Sequence, residues 1–300
     1  MRTRGRLKTS PDLKRDREAT EGEMRIDAHQ HFWRYDAAKY AWISNEMAPL
    51  QRDFLPEDLR PLLEETGFDG SVAVQACHSI EETEWLLELA NANAFVRGVV
   101  GWVDLCSPDA PRQLERLAAN RKLVGVRHVA QDEPDDQFLL RPDFRRGIAR
   151  LSEFGLAYDI LIYPHHLRAA AAFARGFPDQ RFVLDHIAKP LIAERVLAPW
   201  EKDIRALAQL PNVYCKLSGM VTEARWRQWT CEDFRPYLDV VLEAFGPARL
   251  MIGSDWPVCT LSANYQDTMA IVMEYIAELS AAEKDTTLGG NCAAFYRLPG

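Results

Sequence analysis

Two histidines, His29 and His31, stand two residues apart at the polar end of a short apolar segment. The segment Met24–His29 has the residue types of a β-strand, and side chains alternate between the two faces of a strand. We therefore expect Asp27, His29 and His31 to share one face, with Asp27 placed to orient an imidazole. Two imidazoles that converge at a strand end can bind a metal ion or donate hydrogen bonds to a substrate oxygen.

Further polar side chains follow other predicted strands at their carboxyl ends. In a barrel of parallel strands these ends meet at one face, where catalytic groups collect. The candidates at this face are Gln75, Cys77, His78, Trp102, Asp104, Arg127, His128, Asp185, His186, Lys216, Ser218, Ser254 and Asp255. Because most of the histidines belong to this set or to the first pair, the sequence predicts one common site.

The elements that must position these residues alternate along the chain, a short apolar segment followed by a longer amphipathic one. The predicted strands are Met24–His29, Gly70–Gln75, Val96–Val103, Leu123–Arg127, Leu156–Leu161, Arg181–His186, Asn212–Leu217 and Arg249–Ser254. The predicted helices are Leu55–Thr66, Glu81–Ala94, Pro111–Asn120, Asp143–Phe154, His165–Phe177, Pro199–Leu210, Glu232–Phe245 and Tyr265–Leu279.

This alternation predicts a single-domain (β/α)8 TIM barrel over residues 24–300. Several strands are apolar on both faces, which is typical of a parallel sheet covered by helices. A doubly wound open sheet is the alternative. The glycine-rich phosphate turn of a dinucleotide-binding sheet does not follow the first strand, which favours the barrel.

Composition and charge exclude several classes of protein. The net charge is −8, whereas a nucleic-acid-binding protein carries a basic patch. No apolar segment approaches the roughly 18 residues of a membrane-spanning helix. The six cysteines include no CxxC pair, which predicts reduced thiols and a cytoplasmic location. Residues 1–23 are rich in charges of both signs and contain no aromatic residue, so we expect a disordered N-terminal extension.

The long first connection, Phe32–Phe54, carries four aromatic residues: Trp33, Tyr35, Tyr40 and Trp42. One interpretation is a hydrophobic flap that packs over the barrel mouth. The other is that some of these rings form the wall of a substrate pocket. The two interpretations are compatible.

Four motifs together resemble the amidohydrolase superfamily. They are Ile-Asp-Ala-His-Gln-His-Phe-Trp (26–33), Val-Leu-Asp-His-Ile-Ala-Lys-Pro (183–190), Tyr-Cys-Lys-Leu-Ser-Gly (214–219) and Gly-Ser-Asp-Trp-Pro (253–257). The ending Gly-Asn-Cys-Ala-Ala-Phe-Tyr-Arg-Leu (290–298) is similar to the closing helix of one branch. That branch contains lactonases of sugar acids, among them L-fuconolactonases and L-rhamnonolactonases.

The resemblance implies a catalytic set of four residues: His29, His31, His186 and Asp255. In the superfamily these positions surround one or two divalent metal ions, and the aspartate takes a proton from the attacking water. The fifth predicted strand, Tyr158-Asp159-Ile160-Leu161, lacks the Lys or His of a two-metal centre. The resemblance therefore implies either one Zn²⁺ held by the four residues or a metal-independent site in which the histidines act as donors.

The resemblance implies the hydrolysis of an aldonolactone as a step in L-fucose degradation. L-fuconolactone is the first candidate for the substrate. Asp255 would activate water, and the histidine cluster would stabilise the oxyanion. The polyhydroxylated substrate calls for polar side chains, and the candidates for binding it are Gln75, Trp102, Arg127, His128 and Lys216. Three of these have structural alternatives: Arg127 could pair with an acid such as Asp159, His128 could bind a loop, and Lys216 could lie solvated at the rim.

Two other functions remain open at this point. A metal-dependent decarboxylase of an aromatic acid, or a lactone isomerase, would keep the same fold and change the reaction. A non-catalytic barrel that binds sugars is the third alternative, although it gives no reason for combining the His29/His31 pair with Asp255.

Overall fold

The centre of the molecule is an eight-stranded parallel sheet in chain order. The computed structural model describes residues 24–298, so the extension expected over residues 1–23 lies outside the described residues. The strands are β1 (Ile26–Gln30), β2 (Gly70–Val74), β3 (Val96–Gly101), β4 (Leu123–Val129), β5 (Ala157–Leu161), β6 (Phe182–Leu184), β7 (Val213–Leu217) and β8 (Leu250–Ile252). All eight predicted strands are confirmed.

The sheet closes into a barrel where the chain beyond β8 meets the end of β1. Gln30 and Trp256 form a parallel bridge. The His31 amide donates to the Trp256 carbonyl at 2.7 Å, and the Asp255 amide donates to the His29 carbonyl at 2.8 Å. The fold is therefore the predicted (β/α)8 TIM barrel, and the same bonds hold the predicted aspartate beside the histidine pair.

Helices lie between successive strands on the outside of the barrel, and the chain ends with further helices that follow β8. They are α1 (Pro56–Thr66), α2 (Ile80–Ala92), α3 (Ala110–Ala118), α4 (Pro142–Leu151), α5 (Leu167–Arg175), α6 (Trp200–Ala208), α7 (Met220–Glu223), α8 (Cys231–Phe245), α9 (Tyr265–Tyr275), α10 (Ala281–Asp285) and α11 (Asn291–Tyr296). The eight helices predicted from periodicity are confirmed, and 3-10 turns such as Ser152–Phe154 and Ile276–Glu278 complete the predicted lengths of α4 and α9. The short helices α7 and α10 were not predicted.

Two apolar layers stabilise the barrel. The larger layer packs the outer faces of the strands against the helices. The inner layer consists of small and branched strand residues together with Phe295 and Tyr296 of α11. Asn291 of α11 donates to the Leu250 carbonyl at the start of β8, so α11 closes the amino-terminal end of the barrel. Within residues 24–298 no helix is long and apolar enough to cross a membrane.

Candidate active site

A cavity of about 910 Å³ opens at the carboxyl ends of the strands. Six residues selected from the sequence line it: His31, Cys77, His78, Arg127, His186 and Asp255. His29 is fully buried directly beneath them. The barrel therefore brings the predicted catalytic residues to one place, although they are spread over more than 220 positions of the chain.

An irregularity in β1 aims the two histidines into the barrel. The register between β1 and β2 shifts between Asp27 and Gln30, so simple alternation of faces fails at this point. Ile26 and Ala28 join the inner apolar layer, and His29 also turns inward. The expectation that Asp27 shares the face of the histidines is wrong.

Asp27 instead joins the end of β1 to the chain beyond β8. Its carboxylate accepts hydrogen bonds from the Ser254 amide at 2.9 Å and the Ser254 hydroxyl at 2.6 Å. It also accepts one from the Tyr265 hydroxyl of α9 at 3.1 Å. Burial raises the pKa of Asp27 to about 6 in spite of these donors. Asp27 thus fixes the barrel seam, and another residue orients the imidazole of His29.

The reactive atoms of the four predicted residues lie close together. His31 Nε2 is 3.2 Å from His29 Nε2 and 3.2 Å from Asp255 Oδ1. The Nε2 atoms of His29 and His186 are each 3.8 Å from Asp255 Oδ1. Asp255 Oδ1 is therefore the atom around which the three imidazoles converge.

A hydrogen bond on the far side of the His31 ring fixes its proton. His31 Nδ1 donates to the Val74 carbonyl at 2.8 Å, so its Nε2 lone pair turns toward the Asp255 carboxylate. On the far side of the other ring, His29 Nδ1 is 3.3 Å from Asp185 Oδ1 and 3.2 Å from Lys216 Nζ. Asp185 and Lys216 thus orient His29.

Burial and charge favour the metal-ligating forms of these groups. Burial lowers the pKa of His29 well below its usual range, and burial lowers the pKa of His186 to about 4. Burial alone would raise the pKa of Asp255, but the neighbouring His186, His31 and His29 hold it below its ordinary value. At neutral pH the site therefore presents His29 and His186 as neutral imidazoles and Asp255 as an ionised carboxylate.

These residues fit a divalent metal ion. Ligand atoms of His29, His186 and Asp255 all lie within 4.8 Å of one another, and His31 Nε2 is within 3.2 Å of two of them. Tetrahedral zinc with bonds of about 2.0–2.2 Å places its ligand atoms roughly 3.3 Å apart. The His31 lone pair and the Asp255 carboxylate repel one another unless a cation lies between them, and a carboxylate behind a ligating histidine is the usual support.

Two of the four residues have left-handed backbone conformations. His186 has φ 54° and Asp255 has φ 56°, a region that costs a non-glycine residue roughly 1–2 kcal/mol. Positive φ continues through Lys189. The Trp200 indole donates to the Ile187 carbonyl at 2.8 Å, and Ser218 Oγ is 2.9 Å from His186 Nδ1. Backbone strain of this kind persists at functional sites where the surroundings enforce it.

A buried network of charges lies beneath the cluster. Asp185 is bound by Arg127 at 3.0 Å and by Lys216 at 3.1 Å, and Lys216 also binds Asp159 at 2.5 Å. The Tyr296 hydroxyl donates to Asp159 at 2.7 Å. Burial would raise the pKa of Asp185, but Lys216, His29 and Arg127 lower it well below its usual range. Arg127 therefore pairs with Asp185, whereas Asp159 pairs with Lys216.

The other predicted substrate-binding residues lie behind the cavity wall. Gln75 and Lys216 are fully buried, and the Gln75 carbonyl accepts from Arg127 at 2.5 Å. The Trp102 indole donates to His128 Nδ1 at 3.2 Å. These side chains support the residues that form the wall, and Lys216 is far from the solvated rim.

The aromatic connection between β1 and α1 serves both of the purposes considered for it. Trp33 and Tyr40 are buried, and Tyr40 donates to Glu82 at 2.9 Å. Trp42 lines the cavity and donates to the Ala76 carbonyl at 2.9 Å. The segment is thus a packed flap that contributes one ring to the wall.

Sequence reasoning left several residues of the site without a role. Asp185, Asp159 and Ser218 carry no motif of their own, although Asp185 and Ser218 follow strands in the segments already singled out. Gly219 belongs to one of the quoted motifs, and the structure shows why glycine is needed there. Its φ is 67°, and a Cβ at this position would come within 2.5 Å of the His186 ring.

Comparisons with known proteins cover the whole barrel. The family model described as Amidohydrolase matches residues 26–298. A Burkholderia multivorans protein named L-fucono-1,5-lactonase is 46% identical over 291 residues, which span 93% of this chain and 97% of that protein. A Burkholderia ambifaria protein with the same name is 40% identical over 279 residues, which span 92% of this chain and 96% of that protein.

One solved structure adds a metal to the comparison. It is the crystal structure of an amidohydrolase from Burkholderia multivorans with bound Zn, at 46% identity and a TM-score of 0.88. The match covers 92% of this chain and 100% of that chain. The likeness therefore includes the elements that carry the histidine cluster.

Proposed function

Because this chain belongs to the amidohydrolase family, we propose that it is a lactonase that hydrolyses L-fucono-1,5-lactone to the open sugar acid. The observation that carries the proposal is the convergence of three imidazoles on Asp255 Oδ1 at the cavity floor. The names of the two Burkholderia relatives supply the substrate.

Asp255 acts on the attacking water. Water adds its hydroxyl to the lactone carbonyl carbon, and the released proton goes to Asp255 Oδ2 or Oδ1. The tetrahedral oxyanion then collapses, the ring C–O bond breaks, and the leaving ring oxygen takes the proton from Asp255. One group thus serves as base and then as acid, so its ionised resting state is required for the first step.

The imidazoles bind and orient the carbonyl end of the substrate. His186 is the most adaptable, because the Ser218 hydroxyl can donate to its Nδ1 or accept from it. A divalent metal bound by His29, His31, His186 and Asp255 would polarise the carbonyl and lower the pKa of water. The donor set supports one such ion, since the carboxylate of β5, Asp159, is bound by Lys216 and Tyr296.

Of the five predicted substrate-binding residues, Arg127 has the best case for direct contact. It lines the cavity, and its Nη1 reaches the cluster, 3.3 Å from His29 Nε2. We assign Gln75, Trp102, His128 and Lys216 to positioning, since they hold Arg127, His29 and the loop of Glu133 in place. The six free cysteines support a location in a reducing compartment such as the cytoplasm.

A pH-indicator assay of the purified protein against sugar lactones tests the proposal. We expect one proton per turnover on L-fucono-1,5-lactone, and a slower or absent reaction on epimeric lactones. The assay is repeated after chelation, with zinc content measured in parallel, to decide whether the metal is needed. Release of CO2 from aromatic acids, with no acid release from any lactone, would contradict the proposal in favour of a decarboxylase.

A further inference from the structure

His78 has no part in the histidine cluster, yet it lines the same cavity. It follows β2 and is exposed at the wall. The Val129 backbone amide donates to His78 Nε2 at 2.9 Å. Since Nε2 accepts, the proton of the neutral ring is on Nδ1, and His78 has an N–H donor that the bond to Val129 leaves free.

Neighbouring rings fix the plane of His78. Trp102 stacks on it with centroids 5.4 Å apart and planes 14° apart, and the His128 centroid is 4.1 Å away. His128 is itself held, because it accepts from the Trp102 indole and donates to Glu133 Oε1 at 2.7 Å. Partial burial, followed by the nearby His128, lowers the pKa of His78 to about 4. The ring is therefore neutral at physiological pH and cannot turn without losing the Val129 bond.

The position of His78 suits the part of a substrate that does not react. The reacting carbonyl must lie at Asp255, among groups from β1, β6 and β8. His78 enters from the loop after β2, and Arg127 enters from β4. Both His78 and Arg127 line the cavity of about 910 Å³, so a sugar lactone whose carbonyl lies at Asp255 would turn its hydroxyls to this side.

Resting on the proposed function, we infer that His78 is a substrate-binding residue whose Nδ1–H donates to a hydroxyl oxygen of the sugar. The Nδ1–H can only donate. It therefore forms a hydrogen bond with a sugar that places a hydroxyl oxygen at this position, and it forms none with an epimer that places a C–H there. His78 thus contributes to the choice among sugar lactones, and the proton transfers at Asp255 do not depend on it.

Two substitutions separate a substrate contact from a loop tether. In His78→Gln the amide oxygen can take the place of Nε2 and keep the Val129 bond, while the Nδ1–H donor is lost. In His78→Asn the amide nitrogen can take the place of Nδ1 and keep the donor, while the Val129 bond is lost. Steady-state kinetics on L-fucono-1,5-lactone and thermal unfolding are measured for both variants and the wild type.

We expect His78→Gln to raise KM about five- to tenfold, the effect of one neutral hydrogen bond, with kcat changed less than threefold and Tm unchanged. His78→Asn should keep KM within threefold of the wild type and lower Tm. A deoxy-lactone that lacks the contacted hydroxyl should be hydrolysed equally well by His78→Gln and the wild type.

The reverse pattern, with KM raised in His78→Asn and unchanged in His78→Gln, would show that His78 is a tether and would overturn the inference. So would equal KM values in all three proteins. The wild type is assayed first: if it hydrolyses no lactone, the proposed function is wrong and the inference with it. If the wild type is active and the variants do not behave as expected, only the inference about His78 is wrong.

Discussion

At the scale of single residues, the chemistry of the site depends on which imidazole nitrogens carry a proton. The Val74 carbonyl accepts the Nδ1 proton of His31, so the Nε2 lone pair of His31 faces the ionised Asp255 carboxylate at 3.2 Å. Such a group of acceptors is stable around a cation or around a substrate that brings its own positive or donor atoms. The chemistry of the cluster therefore depends on Asp255, because its carboxylate is the group that all three imidazoles face.

Replacing Asp255 by asparagine tests its part in proton transfer. Asparagine keeps the size of the side chain and the backbone bond to His29, so we expect the fold and Tm to be preserved. Because asparagine cannot take a proton from water, kcat on the lactone should fall about 10³-fold or more. Asp179→Asn, at an exposed turn, is the matched control and should leave kcat unchanged. A loss smaller than tenfold in Asp255→Asn would contradict the assignment.

Residue types and spacing predicted which four side chains meet, but they did not predict which polar residues touch the cavity. Gln75 and Lys216 stand at strand ends as expected and yet are fully buried, because Arg127, Asp159 and Asp185 bind them from other strands. A lysine at a strand end looks the same in the sequence whether its partners are carboxylates or water. That difference is decided by neighbours distant in the chain.

At the scale of elements, the loops after β6 and β7 act as one unit. The left-handed turn that starts at His186 lies against Gly219, which follows β7 and has φ 67°. A side chain at Gly219 would occupy the space of the His186 imidazole. The position of a catalytic ring thus depends on a glycine in the neighbouring loop.

Gly219→Ala should displace His186 and impair the site. A Cβ would come within 2.5 Å of Nδ1, so we expect a large loss of kcat and of the capacity to bind zinc, in addition to about 1 kcal/mol of backbone strain. Gly155→Ala is a close control: its φ is also 67°, and its Cβ would meet Arg297 at an ordinary 3.5 Å. Kinetics, zinc content and urea unfolding are compared. Equal activity in the two variants would show that His186 does not depend on Gly219.

The order of elements was predictable because periodicity is a local signal. Eight apolar segments and eight amphipathic ones predicted the strands and main helices correctly. The shift of register within β1 was not predictable, because it results from pairing with Gly70–Val74. Because of that shift, Asp27 faces away from the His29 ring and, of the groups of His29, accepts only from the backbone amide at 3.1 Å, whereas Asp185 lies beside the imidazole.

At the scale of the whole molecule, a buried set of charges joins the site to the far end of the barrel. Arg127, Asp185, Lys216 and Asp159 link β4, β6, β7 and β5, and Tyr296 of α11 completes the set from below. Two positive and two negative groups balance one another without water. The geometry of His29 and the stability of the barrel therefore depend on the same ion pairs.

Lys216→Met should destabilise the barrel strongly. The change leaves two carboxylates with one buried cation, and an unbalanced buried charge costs about 3–5 kcal/mol. Adding Asp159→Asn removes one carboxylate and keeps an acceptor for Tyr296, so the double variant should recover part of that loss. Urea unfolding of the three proteins measures both effects. A single variant as stable as the wild type would show that Lys216 does not neutralise the network.

The stability of the whole molecule should also depend on pH through histidines that the fold keeps neutral. Burial lowers the pKa of His128 from 6.5 to about 4. As the pH falls below 6.5 the unfolded chain binds a proton at this position and the folded protein does not, so the free energy of unfolding decreases. The decrease continues to about pH 4 and can reach about 3 kcal/mol, since one pKa unit corresponds to about 1.36 kcal/mol.

His128→Gln removes this titration and keeps a donor for Glu133. Urea unfolding at pH 7, 6 and 5 should show the wild type losing stability relative to the variant at each step, and parallel profiles would mean that His128 titrates normally in the folded protein.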